Sequence, residues 1–358
     1  MPILTRQAGK LPGGIKSQVI YVDGFAGPGI YRGREPGSPI IAIEAATTHS
    51  VKFPVQVKFL FIEKDPDRFS SLKAQIEKIK PSLVARDDVY LAEPRNGDCT
   101  TELLKVIGKI ENNRQKFGPA MVFLDQFGYS EIPISLMERI MRIPQCEVFS
   151  YLNWSHLTRF LSDPNKAVGI TEAFGSEVWK EAIHLQGKQR ENKIFSEYKK
   201  VLMTRANVKF VLDFGMYGEN NQLLYRLFFC TNNIRGVEEM KKAMWKVDDT
   251  GSYQFSDRDD PNQMIMLKSG TPSWLAGELR KRLVGRTMSI GDLKEYVLTE
   301  TPCFNFKEAL GLLEKTGWLT VVRAKEGRRR GQYPDDDMQV RFVEPPRETA
   351  ASQGALPL

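Results

Sequence analysis

Four carboxylates stand just past apolar runs, where backbone and side chains can meet a ligand. Asp23 follows Val19 to Val22 and opens the turn Gly24-Phe25-Ala26-Gly27-Pro28-Gly29. Gly24 permits a sharp exit from a strand. Gly27 and Gly29 let the backbone approach a ligand and adopt φ values that side chains forbid. An acid at the carboxyl end of a strand lies where open α/β sheets bind their ligands. The glycine order is G-x-x-G-x-G, not the dinucleotide order G-x-G-x-x-G, which sets a nicotinamide oxidoreductase behind other readings. A tight turn with no ligand is the alternative. Glu63 follows the run Val57 to Ile62, where an acid can accept hydrogen bonds from both hydroxyls of a ribose. Asp65 is the reserve for that role, or a helix cap. Asp98 sits in the turn Asn96-Gly97-Asp98 after Val89 to Ala92. Asp125 and Phe127 follow Ala120 to Leu124. The first can accept a hydrogen bond and the second can offer a stacking face. Alternatively, Asp125 is a solvent-side acid and Phe127 a core residue. Asn153, after a fifth run, could line the same cleft.

These residues require a sheet to hold them. The runs Val19 to Val22, Val57 to Ile62, Val89 to Ala92, Ala120 to Leu124 and Glu147 to Leu152 read as buried strands alternating with helices, hence a parallel α/β sheet. Ser38 is a plausible N-cap for a helix with Pro39 in its first turn. Residues 30–37 form an extra loop with Arg32, Arg34 and Glu35, which either wraps the ligand, reaches a partner or is a surface insertion. Residues 155–205, with Trp179, read as a helical lid or insertion. Val208 to Phe214 and Leu223 to Phe229, separated by Gly218-Glu219-Asn220-Asn221, predict an antiparallel hairpin. The expected organisation is a flexible arm over 1–14, a Rossmann-like domain over 15–247, a linker over 248–269, a small domain over 270–345 and a disordered tail over 346–358. The small domain shows three helical stripes and two strands. Its basic loop holds Lys325, Arg328, Arg329 and Arg330 and precedes Asp335-Asp336-Asp337. Three helices and a β-ribbon with a basic tip resemble a winged helix, with the tip on phosphates. A protein-binding module is the alternative.

Composition narrows the classes. The 358 residues are 41% hydrophobic, enough for a sizeable core, and carry a formal charge of +7. The mild basic excess favours an anionic partner. No run reaches the ~20 apolar residues of a membrane span, and the first 14 residues lack a secretory apolar region. Cys99, Cys146, Cys230 and Cys303 are scattered, which suits reduced thiols in the cytoplasm. The three histidines form no zinc-ligand pattern, and no metal is expected.

Asp23-Gly24-Phe25-Ala26-Gly27-Pro28-Gly29 resembles motif I of class I S-adenosylmethionine (SAM) methyltransferases, in the F-A-G-x-G form of nucleic-acid enzymes. Tyr21 to Gly29, followed by Gly37-Ser38-Pro39 and Phe123-Leu124-Asp125-Gln126-Phe127-Gly128, is similar to the three-Cys-motif partner family. The likeness covers roughly residues 15–250. It implies a class I methyltransferase sheet ending in the antiparallel hairpin, and a companion with a three-cysteine motif of radical-SAM type. It places SAM over Asp23, Gly24, Phe25, Gly27 and Gly29, with ribose on Glu63 and adenine near Asp98. It sets Asp125 and Phe127 in the position of the D-P-P-Y tetrad of amino-methyltransferases, with Gln126 in place of a proline and Gly128 in place of the final aromatic. The expected function is a SAM-dependent methyltransferase acting on nucleic acid. A non-catalytic partner that binds SAM or a nucleotide, together with nucleic acid, is the alternative.

Overall fold

The structure is a computed structural model that describes residues 18–113, 119–126, 128, 131–218, 220, 222–248, 254–256, 270–324 and 326–344. Phe127, Lys325, the arm, the tail and most of the expected linker lie outside the described residues. The described residues fall into two compact units, 18–240 with 254–256, and 241–248 with 270–344.

The first unit is built on one sheet with strands β1 (Gln18–Asp23), β2 (Gln56–Glu63), β3 (Val89–Leu91), β4 (Arg95–Asn96), β5 (Ala120–Leu124), β6 (Cys146–Asn153), β7 (Phe210–Tyr217), β8 (Leu223–Thr231) and β9 (Gln254–Ser256). The order is β3-β2-β1-β5-β6-β8-β7-β9, with β4 beside the end of β2. Pairing is parallel from β3 through β6, and antiparallel where β8 meets β6 and β7. This is an α/β fold with a mostly parallel sheet that ends in an antiparallel hairpin. The chain runs outward from β1 to β3 and then returns to β5. The switch point therefore lies between β1 and β5, and crevices at such points take ligands.

Strand residues alternate between faces. Ile20, Val22, Leu60, Ile62, Val122, Leu124, Val148 and Leu152 join one core, against the helices Cys99–Asn113 and Ile134–Met141 and the helical region from Trp154 to Thr204. Phe59 and Phe61 face the other way and meet Ile43, Leu72 and Ile76 from the helices Ser38–Thr47 and Pro66–Ile79. Burial on both faces is what makes these strands continuous apolar runs.

Several expectations change. The region 154–204 is part of the core: Trp179 is buried, and its Nε1 donates to Thr171 Oγ1 at 3.0 Å. Its charges occupy the outer faces of amphipathic helices, so a polar composition concealed a packed layer. Ser38 does not cap its helix. The N-cap is Gly37, and the Ser38 hydroxyl turns to Asp23. The strand β9 falls in the stretch read as a linker and pairs parallel with β7.

In the second unit, the helices Pro272–Leu283, Ile290–Glu300 and Lys307–Lys315 accompany an antiparallel sheet of order β10-β12-β11, from β10 (Thr287–Ser289), β11 (Leu319–Arg323) and β12 (Gln339–Phe342). Thr271 and Ser289 cap the first two helices by accepting from Trp274 N and Asp292 N. Leu279, Leu293, Val297, Leu310, Val340 and Phe342 share one core.

Candidate functional site

Asp23 is fully buried. Its Oδ1 accepts from Phe25 N at 3.1 Å and its Oδ2 from Ser38 Oγ at 2.6 Å. Burial pushes its carboxyl up to about 7 against the two hydrogen bonds, with Asp125 and Glu63 adding repulsion. Gly24, the first residue after it, has no room for a side chain. A Cβ on Gly24 would stand 2.5 Å from Cys99 Sγ and 3.0 Å from Leu124 Cδ2. Gly27 and Gly29 have φ of 64° and 81°, the left-handed region that glycine enters freely.

Glu63 braces this turn. Its Oε2 accepts from Gly27 N at 2.7 Å and its Oε1 from Asp65 N at 2.8 Å. A carboxylate has about four acceptor positions, so two remain for hydroxyl donors. Asp65 caps the helix Pro66–Ile79 by accepting from Asp67 N and Arg68 N through one oxygen, and it also lines the recess beside Glu63. Asn96 Nδ2 and Gly97 N both donate to Glu63 O, at 2.9 and 3.0 Å. Those bonds bring Asp98 beside Glu63. Asp98 Oδ1 accepts from Thr101 N and Oγ1, and its Oδ2 meets Lys64 Nζ at 3.4 Å. Burial opposes ionisation there, but these donors hold the carboxyl below its usual range. Between them lies a recess of about 400 Å³, lined among others by Phe25, Glu63, Arg68, Asp98, Cys99 and Glu131. That volume suits a small-molecule ligand. Burial raises the Cys99 thiol far above its ordinary value, so it fills space as a neutral group and is no nucleophile.

Across the switch point, Asp125 follows β5. It is exposed, yet the protein around it raises its carboxyl by desolvation. Among the described residues no donor is bonded to it. Gln126 is buried and structural: Nε2 donates to Tyr151 O at 3.1 Å, while Oε1 accepts from Glu131 N and Ile132 N at 3.0 and 3.1 Å. Asn153 is the N-cap of the helix Trp154–Phe160, accepting from His156 N at 2.9 Å, and its Nδ2 donates to Tyr151 OH at 3.0 Å. Tyr151 packs against Tyr225 with the rings tilted and 4.6 Å between centroids.

The structure thus brings Asp23, Gly24, Phe25, Gly27, Gly29, Glu63 and Asp98 together, with Asp125 across the switch point. Sequence reasoning missed Ser38, Cys99 and Glu131. Only Ser38 carried a signal, as the first polar residue after the loop. Among the described residues no cluster of three His, Cys, Asp or Glu could hold a metal ion, and no helix is long and apolar enough to cross a membrane.

In the loop between β11 and β12, Arg328 turns inward. Its guanidinium bonds Glu314 Oε2 at 2.6 Å and Gln332 O at 2.9 Å. Glu314 Oε2 also accepts from Gly331 N at 2.9 Å and Tyr333 OH at 2.8 Å. Arg330 bonds the Glu314 carbonyl at 2.8 Å, while Arg329 is exposed.

No protein-family profile matches the chain, and no curated protein does. Solved structures that overlap it include a human methyltransferase 10 domain containing protein, at 10% identity and TM-score 0.31, over 64% of this chain and 79% of that one. A geranyl diphosphate C-methyltransferase of Streptomyces coelicolor, in complex with Mg2+, geranyl diphosphate and S-adenosyl-L-homocysteine, overlaps at 9% identity and TM-score 0.27, over 65% and 78%. TYW2 of P. horikoshii, in complex with MeSAdo, overlaps at 13% identity and TM-score 0.25, over 64% and 63%.

Proposed function

We propose that the first unit is a SAM-dependent methyltransferase acting on nucleic acid. One observation carries the reading: Asp23 is a fully buried carboxylate with no cation bonded to it among the described residues, beside a glycine turn at the switch point. A buried acid without a cation is costly unless a ligand supplies one. The residues present fit SAM, which is cationic. Gly24 and Phe25 of the glycine turn line the recess, Glu63 keeps acceptor positions for a ribose, and Asp98 flanks it. When bound, the sulfonium supplies a methyl group already activated for in-line displacement. The chain's contribution is positioning. Asp125 accepts a hydrogen bond from the attacking group, and its raised carboxyl suits it to take the proton released. Phe127 is assigned the stacking face.

The second unit is proposed as a winged helix that holds nucleic acid, with Arg329, Arg330 and Lys325 toward phosphates and Arg328 securing the loop. A three-Cys-motif companion of radical-SAM type is proposed from the sequence resemblance alone. The competing reading, a non-catalytic partner that binds SAM, draws support from Gln126, whose whole amide is engaged in holding the loop after Asp125.

Calorimetry with SAM tests the assignment. Wild type should bind, and Glu63→Ala should lose at least about 1 kcal/mol. Asp125→Asn should bind SAM normally while methyl transfer to an oligonucleotide falls at least ~100-fold. No SAM binding by wild type would end the reading. Binding without transfer to any nucleic acid would favour the non-catalytic partner.

A further inference from the structure

Loop 30–36 leaves the glycine turn and returns to it. Ile30 and Pro36 form an antiparallel bridge, Tyr31 N donates to Glu35 O at 2.9 Å, and Arg34 N donates to Tyr31 O at 2.9 Å. Gly37 N closes the base on Gly29 O at 2.7 Å. The loop is therefore ordered by its own backbone. Arg34 holds φ of 72°, an uncommon conformation for a residue with a Cβ.

Its side chains fall into two sets. The Tyr31 ring runs along the glycine turn: a Cβ on Gly27 would stand 3.3 Å from its hydroxyl, and one on Gly37 would stand 3.4 Å from Cε2. Tyr31 still exposes 48% of its surface. Burial and the charges of Asp125 and Asp23, the two acids at the switch point, raise its hydroxyl pKa. Arg32 and Arg34 are exposed, and no acid pairs with either among the described residues. The loop's own acid, Glu35, lays its carboxylate over Gly33 and forms no ion pair with either arginine.

The juxtaposition has an electrostatic consequence. Asp23, Glu63 and Asp125 make the site acidic, and a polyanionic substrate would be repelled unless fixed cations stand at its rim. An aromatic face next to unpaired arginines is the usual means of holding a single strand, with stacking for the base and guanidinium for phosphate. We propose that loop 30–36 is the substrate clamp of this site. Tyr31 stacks on or beside the base delivered to Asp125, and Arg32 and Arg34 bind the phosphodiesters flanking it. This inference rests on the nucleic-acid reading above.

The probe is a labelled single strand of mixed sequence, about 16 nucleotides long, in DNA and in RNA form, titrated against the full chain over a range of salt. Each phosphate contact on a single strand contributes about 0.7 to the slope of log K against log salt. Arg32→Ala/Arg34→Ala should flatten the slope by about 1.4, while calorimetry shows unchanged SAM affinity. Arg32→Lys/Arg34→Lys should restore the slope. An iodouracil-substituted strand should crosslink to Tyr31 on irradiation. An unaltered slope in the alanine pair, or crosslinks confined to residues 326–331, would overturn the clamp and leave the nucleic-acid reading standing. If wild type binds neither strand, that reading fails and the clamp with it.

Discussion

Two buried aspartates sit at opposite ends of the same sheet. Asp88 precedes β3 at the amino end and is 6% exposed, while Asp23 ends β1 at the carboxyl end and is 0% exposed. Arg86 grips Asp88 with two parallel bonds, Nε to Oδ1 at 2.8 Å and Nη2 to Oδ2 at 2.7 Å, and Phe53 N adds a third donor. The Arg86 bonds outweigh desolvation and hold the Asp88 carboxyl down at about 2. Asp23 has a hydroxyl and one backbone N–H, and burial lifts it to about 7. One acid is complete within the fold. The other is buried at a cost that its own neighbours do not offset, which the proposed SAM site would use.

The contrast can be broken first at Asp88. Asp88→Ala takes the carboxylate partner from a largely buried Arg86, leaving it only the Thr47 and His49 carbonyls, and should lower the unfolding free energy by about 3 kcal/mol in urea titrations. A folded pKa below the unfolded one gives stability that is present above about pH 4 and lost as pH falls towards 2, so wild type and Asp88→Ala should converge in acid. Asp23 should behave oppositely. With its folded pKa raised, its contribution is fully present below about pH 4 and is lost as pH rises through about 7. Asp23→Asn, which cannot ionise, should be more stable than wild type by about 2 kcal/mol at pH 8, with the gap closing near pH 4. Equal pH profiles for the two proteins would remove the distinction. The smallest effect sharpens it: SAM affinity of wild type should rise about tenfold between pH 6 and pH 8 as Asp23 ionises, and Asp23→Asn should show no such rise.

The parallel strands were legible because burial on both faces leaves few polar residues in them, such as Lys58 in β2 and Glu147 and Ser150 in β6. Asp65 as a cap was legible from local spacing. What escaped were pairings across long sequence separations. Glu63 was singled out for a ligand, but its bond to Gly27 N spans 36 positions, and no local pattern encodes it. The inward turn of Arg328 depends on Glu314 from a helix, and three consecutive arginines read alike in a sequence. Trp179 looked peripheral because charged residues surround it in the chain, whereas in space they lie on the outer side of its helix. Ser38 was assigned to the nearest backbone N–H, yet its hydroxyl reaches 15 positions back to Asp23.

The Glu314 knot has a consequence for how the β11–β12 loop meets proteases. Arg328-Arg329-Arg330 on an exposed turn offers trypsin three successive cleavage points. A protease must draw an extended stretch of chain into its own cleft. Here that stretch is held by the Arg328 guanidinium, the Gly331 N–H and the Tyr333 hydroxyl, all converging on one carboxylate oxygen. Cutting must wait for local opening, so the nicking rate reports how often the knot unties and not how many arginines are in view.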